Sequence, residues 1–566
     1  MKPFRLVLPN LGGQKFISIV VGLFSAGIVL YPVFFLLQAS LNVGDSQTRP
    51  PKEYGLANFA GIFDHLNIIQ NTLLVAALAT VMALVIGFVM GWILSRTNVS
   101  GRAIFEQMMA MPYYVTPLMG ALAWNFIGAP NAGFVNQLWR AAGGQGHIVD
   151  INTPWGIAWV MALFEGSVAF VMIGAVMKSM DPSLEEGSQV LGAGKIRTML
   201  KVTLPLVLPG VLGAGVFVFA EMLGSFSAAL VLGLPNRFYV ITTAMYQLVS
   251  QYPPQFPLAA AMGVSLFLIM WLSLYIYRRI VSAGSYVTIT GKAFRPRVMN
   301  IGRSAWVLFA ICVIYLFIAV VLPIVTLLFA SLQKLAVALP APNNWTLANF
   351  EQALSLDAVR SALWNSLFLG VAVATVGIVV MGLLSWIIYR SRVPGSGIIE
   401  YVVMFPQSVP RLVFAFGMMW AWLIFPIPIY GTLWLLFLAY LTVFLPLGVR
   451  TIAGVMLQLD KSLEESAQMC GASWGYRIRT VTMPLMRPGL LAAWLLLFIA
   501  SVRELGASIM LTGPNAKVIT PAIVDSWFAT SSELTAAMAL IQTLAIFVAL
   551  LPLIAFTRRV SQFGGE

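Results

Sequence analysis

Charged side chains are scarce, at 9% of the 566 residues, where soluble domains carry roughly 25%. That scarcity excludes an ordinary water-soluble enzyme, whose surface would have to expose large apolar patches. Two cysteines (Cys312, Cys470) and two histidines (His65, His147) leave no disulfide framework and no Cys/His metal cluster. Acidic residues are outnumbered by basic ones, 20 to 33, for a net charge of +13. Nucleic acid is not needed to explain that excess, because membrane proteins concentrate Lys and Arg in cytoplasmic loops. Apolar residues, by contrast, make up 60% of the chain, with 36 Phe, 16 Trp and 16 Tyr and a mean hydropathy of +0.89. Such a chain is too apolar for disorder. It reads as an all-α integral membrane protein.

Residues 16–37 run uncharged behind Lys2, Arg5 and Lys15. A signal peptide shares that charge order, but its apolar region is only about 7–15 residues. This stretch can cross a hydrocarbon core of about 30 Å and reads as a retained first span. Further spans are expected over 68–95, 107–128, 154–177, 206–234, 257–277, 305–332, 362–389, 401–425, 429–449, 488–512 and 534–557, about twelve in all. With both termini cytoplasmic, 24 of the 33 Lys and Arg fall in inside segments and 7 in outside loops. Lys/Arg bias sets orientation, and a wrong span count would erase it.

The chain also repeats itself. Asn58-Phe59 recurs as Asn349-Phe350, and Arg96, Gly101, Glu106 and Pro112 recur 294 positions later as Arg390, Gly395, Glu400 and Pro406. At an offset of 279, Asp181-Pro-Ser-Leu-Glu-Glu186 matches Asp460-Lys-Ser-Leu-Glu-Glu465, and the register continues through Gly192/Gly471, Pro205/Pro484 and Pro209-Gly210/Pro488-Gly489. Apolar spans can converge in hydropathy, but not in polar residues held in register. The expected organisation is a first half over 1–281, a basic cytoplasmic linker over 282–304 and a second half over 305–566. Six spans per half give both halves the same orientation, related by an axis along the membrane normal, with a pathway at their interface.

One polar cytoplasmic loop occurs in each half. Glu186-Gly-Ser188 precedes Gly192 and then Val202-Thr-Leu-Pro205; Glu465-Ser-Ala467 precedes Gly471 and then Val481-Thr-Met-Pro484. Ser183 and Ser462 are expected to cap short helices, with Glu186 and Glu465 completing capping boxes. The glycines end the helices and the prolines mark return to the membrane. This spacing resembles the Glu-Ala-Ala loop of permease subunits of binding-protein-dependent ABC importers. The resemblance implies that Glu186, Gly187, Ser188 and Gly192, with Glu465, Ser466, Ala467 and Gly471, dock in grooves of two copies of a cytoplasmic ATPase. The departures, Gly-Ser and Ser-Ala for Ala-Ala, Val202 and Val481 for isoleucine and Met483 for leucine, stay small or apolar. Phe219–Phe226 and Arg503–Ser508, each before a Gly/Pro/Asn break, narrow the resemblance to fused permeases of the iron(III), thiamine, polyamine and phosphonate group. That group implies a type I importer fold, a periplasmic or lipid-anchored binding protein and a bacterial or archaeal inner membrane. It also implies no cofactor on this chain, with ATP and Mg on the ATPase. Leu191-Gly-Ala-Gly-Lys-Ile-Arg-Thr198 superficially suggests a phosphate loop. The pattern requires Gly at 189 and Ser or Thr at 196, where the chain has Gln189 and Ile196, and no strand precedes it.

Five charges fall within the expected spans: Glu165, Glu221, Arg411, Arg503 and Glu504. Each costs roughly 2.5–3.5 kcal/mol at a helix centre, so each should face a cavity or a partner. Glu165 and Glu221 both lie 16 residues from the cytoplasmic loop, about 24 Å at 1.5 Å per residue. Carboxylates at one depth suit a cation path, and hard metals prefer oxygen ligands. The alternative is that these acids pair with Arg411 or Arg503 to hold helices together. Arg411 stands where the first half has Pro117, and an unmatched arginine suits an anion. The residues leave both open; the resemblance makes iron(III) the first expectation and a small organic ion (phosphonate, polyamine or thiamine) the next, with an ion-coupled secondary transporter behind.

Overall fold

The computed structural model describes residues 11–44, 51–283, 299–391, 393, 395–425 and 427–563. Most of the expected linker (284–298) and the terminal segments carrying Lys2 and Arg5 lie outside the described residues. Among those residues the chain is helical, with only isolated bridges and no strand.

The first half runs α1 (Leu11–Ser40), α2 (Leu66–Arg96), α3 (Arg102–Met108), α4 (Pro117–Gly128), α5 (Pro154–Ser179), α6 (Ser183–Val190), α7 (Leu204–Leu223), α8 (Ile241–Ser250) and α9 (Phe256–Ala283). In the second half, α10 (Ala305–Leu316) and α11 (Leu322–Ser331) flank a π turn and together match α1. They are followed by α12 (Asp357–Tyr389), α13 (Ser396–Met404), α14 (Arg411–Ile424), α15 (Leu433–Val443), α16 (Leu445–Met456), α17 (Ser462–Met469), α18 (Met483–Val502), α19 (Ile519–Ala529) and α20 (Ser532–Phe563).

Nine helical stretches among the described residues are long and apolar enough to cross a membrane, or eleven if two bent pairs each count as one span. The straight spans expected over 107–128 and 401–425 are the correction. The first is divided among α3, a turn of helix at Met111–Tyr114, and α4; the second bends by 107° between Ser408 and Arg411. Proline explains both breaks: Pro112, Pro117, Pro406 and Pro410 remove amide donors and push the preceding residue out of the α region. The span expected over 429–449 bends by 48° between α15 and α16, with Pro446 just beyond the break. The spans expected over 206–234 and 488–512 lose regular helix after Leu223 and Val502.

Matched hydrogen bonds hold the two halves in the same form. The Asn58 amide donates to the carbonyls of Ser40 (3.1 Å) and Asn42 (2.6 Å); Asn349 donates to those of Ser331 (2.9 Å) and Gln333 (2.7 Å). Asn71 donates to the Tyr239 carbonyl and Thr72 accepts from the Ile241 amide, while Asn365 and Ser366 do the same to Lys517 and Ile519. These polar side chains satisfy backbone groups where helices meet loops, which is why they recur in register. The halves also interlock. α1 packs on α14 of the other half, α11 packs on α4, and the Tyr315 hydroxyl donates to the Leu163 carbonyl at 2.9 Å. A Cβ on Gly417 would stand 2.4 Å from the Pro32 carbonyl oxygen, so α14 meets α1 at backbone distance.

Candidate coupling loops and intramembrane charge cluster

α6 and α17 are two-turn helices joining α5 to α7 and α16 to α18. The capping boxes expected at Ser183 and Ser462 are not what starts them. Pro182 and Lys461 occupy the N-cap positions, and the carboxylates of Asp181 and Asp460 accept from the Ser183 and Ser462 amides, each at 2.9 Å. An aspartate accepts from the amide two residues on in an Asx turn, a bond that a serine hydroxyl makes more weakly. The Ser462 amide holds the exposed Asp460 carboxyl below the usual carboxylate range. The glycines behave as expected: Gly192 and Gly471 adopt φ of +84° and +82°. The amides of Gly192 and Ala193 return to the carbonyls of Gln189 and Ser188, and those of Gly471 and Ala472 to Gln468 and Ala467, closing both C-termini.

The residues expected to dock lie on the outer side. Glu186, Gly187, Gly192, Glu465, Ser466 and Gly471 are exposed, and Ser188 and Ala467 are half-buried. Beside them Val190, Leu191 and Met469 are 87–89% exposed. An open depression of about 520 Å³ adjoins the second helix, lined by residues including Ala467, Gly471 and Tyr476.

The preceding acids face inward, and sequence reasoning passed over them. The buried Glu185 carboxylate pairs with the fully buried Arg96 at 2.8 Å and accepts from the Thr203 hydroxyl at 2.5 Å. Glu464 accepts from Thr482 at 3.0 Å, and Arg390 instead donates to the carbonyls of Met456 and Leu459. The signal was available: Glu185/Glu464 and Thr203/Thr482 share one offset, and Arg96/Arg390 open another matched series.

Within the membrane, Glu165 lies on α5 and Glu221 in the last turn of α7, both half-buried. Arg503 caps the end of α18, and Glu504 stands in the break beyond it. Arg411 opens α14, just past the 107° bend. These elements approach one another: α5 packs on α7, and Cβ atoms on Gly224 and Gly506 would stand 3.3 Å from Pro410 and 3.5 Å from Arg411. Arg411 pairs with Glu504 at 2.9 Å, with the arginine side chain 48% exposed and the carboxylate 2%, and its guanidinium lies 5.6 Å from the centre of the Phe444 ring. Glu504 also accepts from the Ala507 amide. Arg411 thus pairs with Glu504, an acid that the pairing weighed as an alternative to a substrate path did not name. Among the described residues no three His, Cys, Asp or Glu side chains converge as a metal site.

Against known families, residues 59–282 and 378–562 match the binding-protein-dependent transport system inner membrane component. The chain belongs to that family. It is therefore a multi-pass inner-membrane permease subunit of an ABC importer, and each of the two matched segments contains one copy of the candidate loop. Among relatives, a probable ABC transporter permease, y4fN, of Sinorhizobium fredii is 25% identical over 87% of both chains. The Fe(3+)-transport system permease FbpB 2 of Haemophilus influenzae is 23% identical over 85% of this chain and 89% of its own. The ferric transport system permease FbpB of Actinobacillus pleuropneumoniae is 25% identical over 92% of this chain and 75% of its own. This permease therefore has fused relatives whose names include ferric iron.

Proposed function

We propose that this permease conducts a substrate, iron(III) foremost, received from a periplasmic or lipid-anchored binding protein. Two copies of a separate ABC ATPase, which hold ATP and Mg, drive it through α6 and α17. The single observation that carries the coupling role is the pair of capped helices in register. Each turns its Glu (Glu186, Glu465) and its small residues outward beside exposed apolar side chains. An apolar patch rimmed by polar residues suits a protein partner. Gly187, Ser188 and Gly192, and Ser466, Ala467 and Gly471, would let a groove approach the helix closely, and no cofactor is needed on this chain. In this reading both termini are cytoplasmic, the halves divide at 281 and 305, and membrane lipid surrounds the bundle.

The substrate path would pass the cluster of Glu165, Glu221, Arg411, Arg503 and Glu504. Iron(III) rests on the ferric names of relatives and on the carboxylates, since hard cations take oxygen ligands. A small organic ion (a phosphonate, polyamine or thiamine) is the second reading, and the half-exposed Arg411 favours an anionic one. Replacing both Glu186 and Glu465 by alanine is expected to leave the chain folded and to lower uptake per ATP hydrolysed; normal uptake would refute the coupling role. Elemental analysis of the binding protein captured with this permease separates the substrates. Stoichiometric iron supports the first, and a metal-free protein carrying an organic ligand supports the second.

A further inference from the structure

The two coupling helices are attached to the membrane domain by different means. On the first, Glu185 is 2% exposed and bridges Arg96, at the end of α2, to Thr203, at the base of α7. The same helix gains two more ties: Ser188 lies 3.1 Å from Thr198 across their hydroxyls, and the Gln189 amide contacts the Met299 sulfur at 2.7 Å. Met299 is itself held by a backbone hydrogen bond to the Arg96 carbonyl at 2.8 Å. On the second helix Glu464 reaches Thr482, and Gln468 accepts from Arg477. Arg390, the repeat partner of Arg96, grips the carbonyls at the end of α16 and just beyond it.

We propose that the two loops are mechanically unequal, and that Arg96 and Glu185 are positioning residues that make α6 move as one body with α2. The physical reason is the cost of separation. Pulling α6 from α2 would part a buried ion pair and leave an uncompensated charge, a far larger penalty than losing a neutral hydroxyl bond. α2 packs along α5, which carries Glu165, so displacement of the first loop reaches the charge cluster through two rigid helices. Displacement of the second reaches it along α18, which ends at Arg503, and Glu464 ties that loop only to Thr482, at the base of α18, with no ion pair to α12 among the described residues. The inference rests on the proposed ATPase docking of both loops.

The test uses the permease–ATPase complex in lipid nanodiscs, with its binding protein isolated carrying its native cargo. The first readout is the stimulation of ATP hydrolysis by the binding protein, relative to hydrolysis without it. Glu185→Gln is expected to reduce that stimulation about two- to thirtyfold, the range for residues that modulate coupling between sites. Glu464→Gln is expected to change it by less than about twofold, below that range. Equal losses in the two variants, or a fall in basal and stimulated rates that leaves their ratio unchanged, would overturn the proposal. Hydrogen exchange on the wild-type complex is the second readout and needs no variant to fold. Amides of 183–190 should exchange more slowly than those of 462–469; equal protection overturns the proposal. A wild-type complex that shows no stimulation at all refutes the docking reading instead, and the exchange comparison still decides the mechanical one.

Discussion

The two halves of this permease share a scaffold and differ in what they carry. Where backbone groups must be satisfied the copies agree: Asn58 with Asn349, Asn71-Thr72 with Asn365-Ser366, and a π turn at both Met199–Thr203 and Ile478–Thr482. Packing agrees less. In the first half α2 lies mainly along α5, whereas α12 divides its contacts between α18 and α16. The five charges within the membrane do not agree at all. At the repeat offsets Glu165 faces Phe444, Glu221 faces Ala500, Arg411 faces Pro117, Arg503 faces Gly224 and Glu504 faces Ser225. The lesson is that duplication preserves what the backbone demands. The membrane charges answer to no such demand, and each occurs only once.

The largest break in that comparison is expected at the α2–α5 seam. A Cβ on Gly87 would stand 2.6 Å from the Ala169 Cβ and 2.7 Å from its carbonyl carbon. Gly87→Ala must therefore separate two backbones, and should destabilise the protein by about 3 kcal/mol, the upper end of overpacking costs. Gly382→Ala on α12 would meet only Leu490 at 3.8 Å, and should be neutral or stabilising by up to about 1 kcal/mol. Thermal midpoints in detergent separate the two. Next comes the charge asymmetry. Glu504→Ala removes a buried carboxylate but leaves a half-exposed arginine that keeps the Phe444 ring beside it, so about 2 kcal/mol is expected. Ser225→Ala at the repeat position should stay within about 0.5 kcal/mol. Equal losses would mean that Glu504 is held by its backbone setting rather than by Arg411.

Smaller effects sharpen the symmetric part. Gly192→Ala and Gly471→Ala each force a side chain into left-handed backbone, at about 1 kcal/mol apiece and equally in both halves. Unequal shifts in loop exchange rates would show that one cap is less needed than the other. The smallest effect is electrostatic. Asp460 has a folded pKa below its unfolded value, so its support is complete above about pH 4 and is lost as pH falls through the depressed value. Exchange of the second loop should quicken only in that acid range, and Asp460→Asn should abolish the step.

Much of the site was legible because its signals are local. The αL glycines, the outward glutamates and the five membrane charges could each be placed by spacing and hydropathy alone. The capping boxes failed because two sequence patterns, Asp-x-Ser and Ser-x-x-Glu, overlap at the same residues, and the aspartate won. The inward turn of Glu185 was missed because its partner, Arg96, lies 89 positions away. The broken spans were missed because hydropathy averages over prolines that redirect the chain. The repeat was legible in full register, since identical polar residues cannot be aligned by hydrophobicity alone.

By itself the sequence determined membrane residence, the doubled plan and the two short polar loops with their terminating glycines, because apolar length, repeat offset and glycine conformation are properties of short segments. Only the tertiary structure decided that Arg96 meets Glu185 while Arg390 meets carbonyls. It alone decided that Arg411 meets Glu504 and that the first helices of the halves cross over. Those outcomes depend on which helix faces bury together. In a membrane that is settled by close packing and by polar groups finding partners across the bundle.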